Sequence, residues 1–252
     1  MRVLVTGASS GIGRELVRQL CQGEARVVAM ARRKERLSSL VEEVQTLGGE
    51  VHTFAGDVTD SAARQAALEL CQTQMGGLDV LVNNAGRGGI GAFAQADEAR
   101  LRQIMEVNFF APAEFIRAAL PLLRQADRPL IVNVASVLGH RAVPFKTEYC
   151  ASKFALHGFS DALRAELARE KVDVLLVSPS TIESEFFDHV LGERNKPRGR
   201  FGAMTPKKVA RRMVHAIAVG KHEIILPWGG RLLVWLDRLC PPLANRLVAW
   251  FG

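Results

Sequence analysis

Short apolar runs alternate with amphipathic stretches along almost the whole chain, and this alternation narrows the folds open to it. The runs are Arg2 to Val5, Arg26 to Met30, Val51 to Phe54, Val80 to Val82, Leu130 to Val134, Val174 to Val177 and Glu223 to Leu226. Several hold apolar residues at consecutive positions, as strands buried on both faces do. Between them lie helical patterns such as Arg14 to Gln22, Lys34 to Leu47 and Ala62 to Gln74. Such a βαβα order predicts an α/β fold, a doubly wound parallel sheet of about seven strands with helices on both faces. A chain of 252 residues can bury one sizeable core. One domain is therefore expected over 1–226, with 227–252 as a C-terminal extension. Gly192 to Thr205, rich in Arg, Gly and Pro and without periodicity, reads as a loop.

With 48% hydrophobic and 23% charged residues, the composition excludes a disordered or fibrous chain. Four cysteines (Cys21, Cys71, Cys150 and Cys240) stand far apart without CxxC spacing. They read as reduced structural thiols, and no metal site is expected. The N-terminus lacks a signal-peptide pattern and no apolar run approaches the ~20 residues of a membrane span. A soluble, cytoplasmic protein is expected, with peripheral membrane association left open. The net charge of +7 is unevenly spread. From Leu191 onward there are twelve Lys or Arg and three Asp or Glu, which leaves the first 190 residues at −2. That basic quarter could face anionic lipid, nucleic acid or an acidic substrate, or be a solvated helix face. No nucleic-acid motif accompanies it, so no nucleic-acid partner is expected.

Two clusters carry chemistry. In Thr6-Gly7-Ala8-Ser9-Ser10-Gly11-Ile12-Gly13, glycines follow the first apolar run and open the first helix. They let the backbone turn sharply and approach a pyrophosphate, while the helix N-terminus offers free N–H groups and a positive dipole end. After the second run comes Met30-Ala31-Arg32-Arg33, where an NAD-selective site would place a carboxylate. Arg32 or Arg33 could pair with a 2′-phosphate, with Ser9 in reach, or simply begin a solvated helix. NADP(H) is therefore expected over NAD(H). In the second cluster Tyr149 and Lys153 are four residues apart, on one face of a helix. A phenol with a pKa of ~10 exchanges protons poorly at neutral pH, and a neighbouring ammonium would lower it.

These motifs together resemble the short-chain dehydrogenase/reductase family, over roughly residues 2 to 226. The resemblance implies a Rossmann-fold oxidoreductase with a catalytic set of Asn108, Ser136, Tyr149 and Lys153. Ser136 would hold and polarise the substrate carbonyl, and Asn108 would keep a water-linked path to Lys153. It further implies cofactor contacts from Gly7, Ser9, Ser10, Gly11, Ile12 and Gly13, from Asp57 and Val58 at the adenine, and from Asn84, Ala85 and Gly86. Tyr149, Lys153, Pro179, Ile182 and Ser184 would complete the cofactor set. Two departures stand out. Ser180 replaces the family's usual glycine and Ser184 its threonine, which predicts altered loop geometry with the hydroxyl kept. Many relatives assemble, so a homodimer or homotetramer is expected.

The expected substrate is a hydrophobic carbonyl or alcohol, from pocket candidates His140, Val143, Pro144, Phe145, Phe186 and Phe187. Aromatics at these spacings could equally be core. In the tail, Leu232, Trp235, Leu236 and Leu239 share a helical face bordered by Arg231 and Arg238, and Pro241-Pro242 ends it. Membrane contact, subunit or pocket packing, and ordinary core all remain open for it. The alternative from another class is a non-catalytic NADP(H)-binding regulator or redox sensor, which would not need Ser136 and Tyr149 together.

Overall fold

The structure of the chain, a computed structural model, describes residues 1–183, 185–186, 190–192 and 203–251, with backbone alone over 247–251. The strand β1 (Arg2–Thr6) leads through the glycine turn into α1 (Gly11–Gln22). The pattern repeats through β2 (Arg26–Ala31), α2 (Lys34–Thr46), β3 (Val51–Ala55), α3 (Ser61–Leu70) and β4 (Val80–Asn83). A two-residue strand, β5 (Gly89–Ile90), precedes α4 (Glu98–Met105), α5 (Ala111–Leu123), β6 (Leu130–Val134), the long α6 (Thr147–Leu167) and β7 (Asp173–Pro179). Then follow β8 (Leu191–Gly192), α7 (Pro206–Ala218), β9 (Glu223–Leu226), α8 (Trp228–Leu239) and α9 (Pro241–Phe251).

Seven strands form one parallel sheet in the order β3-β2-β1-β4-β6-β7-β9. Alternate residues of each strand enter opposite layers, as the pleat requires. Val3 and Val5 pack with Leu16 and Leu20 of α1 and Met213 of α7, while Leu4 packs with Phe115 of α5 and Leu167 of α6. Both faces are thus covered, which is why the strands read as unbroken apolar runs. The strand order reverses between β1 and β4. Connections diverge there and leave a crevice at the carboxyl ends of the strands, where α/β sheets of this type bind ligands.

Some boundaries differ from the periodicity. Helix α1 starts at Gly11, earlier than the first apolar repeat, because its opening turn is the glycine stretch itself. The pattern Ala62 to Gln74 divides: α3 ends at Leu70, and a wider π-type turn over Cys71–Met75 is closed by Gly76 at φ 73°. The pair β5–β8 was not expected, being too short and glycine-rich to register as strands. Residues 193–202 of the segment read as a loop lie outside the described residues.

Candidate active site

The glycine turn is held by side chains from both ends of the crevice. Thr6 Oγ1 accepts from the backbone N–H groups of Asn84 and Ala85, both at 3.0 Å, and Asn84 Nδ2 donates to the Thr6 carbonyl at 2.9 Å. Gly7 adopts φ 65°, and a Cβ there would lie 2.8 Å from Ala85 Cα. A Cβ on Gly13 would strike the Gly7 carbonyl oxygen and Asn84 Nδ2. The backbone of the turn is therefore as close to β4 as chemistry allows. The N-cap of α1, Ser10, makes no side-chain cap. Its hydroxyl and that of Ser9 instead accept from Arg33 Nη2 at 2.7 and 3.1 Å. Arg33 also pairs with Glu185 at 3.2 Å, and Arg36 reaches the same carboxylate at 3.1 Å. Arg32 is largely exposed and stands 3.6 Å from Asp57. Burial pushes the Asp57 carboxyl up, but the Thr59 N–H and hydroxyl and the Arg32 charge outweigh it, and the net direction is down.

The second group of candidates converges from three other elements. Ser136 follows β6, its Oγ donating to the Pro179 carbonyl at 3.3 Å and accepting from the Leu138 N–H at 3.1 Å. Lys153 Nζ donates to the Val134 carbonyl at 2.9 Å and lies 5.8 Å from the centre of the Tyr149 ring. Asn108 is fully buried in a π-type turn, Glu106–Phe110. Such turns recur at functional sites because they break the helical ladder locally. Its Oδ1 accepts from Arg87 N at 2.7 Å, and its Nδ2 donates to Arg87 O and Ser152 Oγ, both at 2.9 Å. A Cβ on Gly86 would stand 3.5 Å from Asn108 Oδ1 and 3.7 Å from Lys153 Nζ, so Gly86 keeps open the space beside both.

Burial moves the two titrating groups in opposite directions. It pushes the Tyr149 phenol up to about 12, with the Ser136 hydroxyl pulling the other way and the Cys150 thiol adding to the rise. It pushes the Lys153 ammonium down to about 8. The spacing alone suggested a phenol lowered by its lysine. Desolvation wins instead, because it penalises each charged form separately.

One cavity of about 730 Å³ joins these parts. Gly7, Ser9, Ser10, Gly11, Ile12, Arg32, Arg33, Asp57 and Val58 line one end. Asn84, Ala85, Gly86, Ser136, Tyr149, Lys153, Pro179 and Ile182 line the cavity further on, with Val143 and with Phe186, whose ring lies 5.9 Å from that of Tyr149. Gly13 and Asn108 stand behind that lining. Ser184 and Phe187 lie outside the described residues. Three proposed pocket residues do not reach the cavity. His140 turns inward, its side chain 2% exposed, with Nε2 3.0 Å from Ser178 Oγ and 3.2 Å from Glu223. Phe145 sits at φ 60° and points largely to solvent, with 54% of its surface exposed. Pro144 is exposed as well and is absent from the lining. The chain adjacent to a catalytic strand end is not all pocket, because His140 packs down on Ser178 while Pro144 and Phe145 face solvent. Ser180 adopts no left-handed conformation, so the missing glycine causes no strain at that position.

Sequence reasoning passed over a buried polar chain. Asn83 Nδ2 donates to Asn133 Oδ1 at 3.0 Å, Asn133 Nδ2 to Ser160 Oγ at 2.9 Å, and Ser160 Oγ to the Leu156 carbonyl at 2.6 Å. It ties β4, β6 and α6 together under Tyr149. The signals were Asn133 inside the apolar run Leu130 to Val134 and Asn83, which opens Asn83-Asn84-Ala85-Gly86, the family motif that supports the sheet. Ser152 was missed too; its Oγ donates to the Tyr149 carbonyl at 2.7 Å and links that residue to Asn108. Three separated residues, His140, His157 and Glu223, offer ring nitrogens and a carboxylate oxygen within 4.8 Å of one another, an arrangement no local spacing reveals.

The profile of the short chain dehydrogenase family matches residues 1–195. The chain belongs to this family of oxidoreductases. This short-chain dehydrogenase is 31% identical over 256 residues to the ketoacyl reductase HetN of Nostoc sp., covering 99% of this chain and 88% of that one. It is 32% identical over 264 residues to dehydrogenase/reductase SDR family member 7B of Bos taurus, covering 98% and 80%. Its fold matches a short chain dehydrogenase/reductase from Burkholderia phymatum, solved in complex with NAD, at a TM-score of 0.88 and 24% identity over 96% of this dehydrogenase and 94% of that chain.

Proposed function

We propose that this short-chain dehydrogenase moves hydride between NADP(H) and a carbonyl or alcohol group of a hydrophobic small molecule. The observation that carries the reading is the meeting of Tyr149, Ser136 and Lys153 with the glycine cradle on a single cavity. The fit to a nicotinamide nucleotide rests on that cradle: Gly7 and Gly13 leave no room for a Cβ, and α1 presents its N-terminus without a side-chain cap. Arg33 with Ser9 and Ser10 forms a cationic, hydroxyl-lined corner suited to a 2′-phosphate. The nucleotide, when bound, supplies or takes the hydride.

In the reductive direction a substrate carbonyl oxygen receives two hydrogen bonds, from Tyr149 and from Ser136. Burial keeps the phenol protonated, so Tyr149 holds the proton that the oxygen needs as its carbon gains hydride. Lys153, with Nζ 5.8 Å from the centre of the phenol ring, is the cation placed to offset part of the negative charge left on it. Asn108 positions the helical turn behind Lys153 and the Arg87 backbone. The similar protein of Nostoc sp. carries the name of a ketoacyl reductase, which supports this direction.

The experiment is a scan of NADPH oxidation against hydrophobic ketones and aldehydes, with Tyr149→Phe beside the wild type. Turnover should fall by at least ~10²–10⁴-fold in the variant while NADPH still binds. A variant with near-wild-type turnover would remove Tyr149 from the mechanism, and a binding-only protein would give no turnover in either form.

Two surfaces extend the proposal. Leu101, Phe110 and Phe154, on α4, the π-type turn and α6, are exposed beside the active-site helix and support assembly as a homodimer or homotetramer through that face. Helix α8 packs its inner side, Gly230 and Val234, on the turn after Ser136, and Arg141 Nη1 holds Asp237 at 2.8 Å. Trp228, Leu232, Trp235 and Leu239 then face outward, and Trp228 is 80% exposed. The sole acid of 227–252 is Asp237, already paired inward, against Arg231, Arg238 and Arg246. That stripe fits an anionic lipid surface. No helix among the described residues is long and apolar enough to cross a membrane.

A further inference from the structure

The cavity wall carries seven charged side chains among the described residues, and most are already committed. Arg32 stands by Asp57, Arg33 pairs with Glu185, and Lys153 donates to Val134. Two cations are left, Arg87 and Lys146. Arg87 takes part through its backbone, which holds Asn108. Lys146 is the less easily explained. It caps the N-terminus of α6, three residues after Val143 and three before Tyr149, against whose ring Phe186 packs at 5.9 Å. Among the described residues no carboxylate stands within 4.0 Å of it, and among them Cys150 alone acts on its charge.

Three costs meet at this position. Partial burial disfavours the ammonium and lowers its pKa. The positive end of a 21-residue helix disfavours a cation again. No counter-ion among the described residues offsets either. A lysine is free to swing its head into water, and an uncharged residue would cap the helix better. The neighbouring acid, Glu148, gives no relief. Its Oε1 accepts from Arg100 at 2.6 and 2.9 Å, and that pair is buried between α4 and α6.

Resting on the oxidoreductase reading above, we propose that Lys146 is the anion anchor of the substrate pocket. The substrate class is then an amphipathic carbonyl compound carrying an anionic oxygen group, a carboxylate or a phosphate ester. The N-cap and the third helical residue are neighbours on a helix, at roughly 5–6 Å between Cβ atoms. The anionic group and the reducible carbonyl therefore belong to the same end of the molecule. Its apolar body lies along Ile90, Leu138, Val143 and Phe186. The same cation disfavours a substrate whose head group is an amine, so it selects by repulsion as well as attraction.

The test needs no turnover, which separates its failure from failure of the proposed reaction. Calorimetric titrations of the full chain with saturating NADPH would use decanoate, decyl phosphate, methyl decanoate and decylamine as probes. At least one of the two anions should bind tenfold or more tighter than methyl decanoate, and the tighter of the two identifies carboxylate or phosphate. Decylamine should bind more weakly than the ester. Lys146→Met should bring the anion-to-ester ratio close to one, and Lys146→Arg should keep most of it, with thermal melting checking that both variants fold. Equal affinity for anions and ester in the wild type, no binding of either anion, or an anion preference that survives Lys146→Met would overturn the proposal. If carbonyl turnover is found, 4-oxodecanoate against its methyl ester should show the same ratio in kcat/KM.

Discussion

At the scale of single residues, the candidate site works by desolvation more than by pairing. Tyr149 and Lys153 are four positions apart, and that spacing alone suggests a cation lowering a phenol. In the folded chain burial acts on both and keeps the proton on Tyr149, the form a reductase needs. Spacing reports adjacency along a helix; it carries no information about how much water reaches either group. Arg33 shows the same limit from the other side. The dipeptide Arg32-Arg33 underlies the proposed phosphate contact but does not say which arginine makes it. The fold turns Arg33 onto Ser9 and Ser10 and leaves Arg32 outside, 65% exposed, beside Asp57. Arg33→Ala should weaken NADPH binding by ~10–100-fold, in line with a lost charge-assisted pair of about 1.5–3 kcal/mol, and leave NADH binding nearly unchanged. Fluorescence titration with the two nucleotides measures the ratio.

At the scale of elements, the legible features were those whose cause is local. Seven strands, the glycine turn and the helices between them follow from periodicity and from residues with special backbone freedom. The β5–β8 ladder and the π-type turn around Asn108 do not, since each is set by what packs against it. The polar chain from Asn83 through Asn133 to Ser160 is likewise a product of three elements meeting. For α8 the amphipathic pattern was plain, but which side faced the body was not. The pattern placed an apolar face at Leu232, Trp235, Leu236 and Leu239; the fold buries Gly230 and Val234 instead, leaves Leu236 half-buried and turns the other three outward. If lipid is what covers it, Trp235→Glu with Leu239→Glu should abolish flotation with liposomes containing anionic lipid. The melting temperature should be unchanged, because neither side chain contributes to the core. Flotation retained by the double variant would point instead to another contact, and a shift in oligomer size to a second copy of the chain.

Across the whole molecule, the carboxylates that hold elements together titrate below their ordinary range. Burial raises the Asp79 carboxyl, but hydrogen bonds from the Arg2 side chain and backbone, with the Arg2 charge, bring it down; the pair joins β1 to the start of β4. Hydrogen bonding from His140 lowers Glu223, against burial, and a hydrogen bond from Arg14 lowers Glu43. The unfolded chain lacks these partners and so takes up protons first. Their stabilisation is complete above an ordinary carboxylate pKa of ~4 and is lost as pH falls through the lowered values. Melting temperature should therefore stay level from about pH 7 to 5 and drop below about pH 4. Asp79→Asn should cost about 1–3 kcal/mol at pH 7 and make the acid drop shallower. What the sequence by itself determined is the layered α/β fold, the family and the order of the site residues, because alternating burial, glycine turns and helix spacing act over a few neighbours. Only the tertiary structure decided which arginine meets the serines, which way the phenol and the ammonium titrate, that His140 turns away from the cavity, and that Lys146 stands on its wall without a counter-ion among the described residues. Those outcomes depend on desolvation and on contacts between residues far apart in the chain, and neither is encoded in any local pattern.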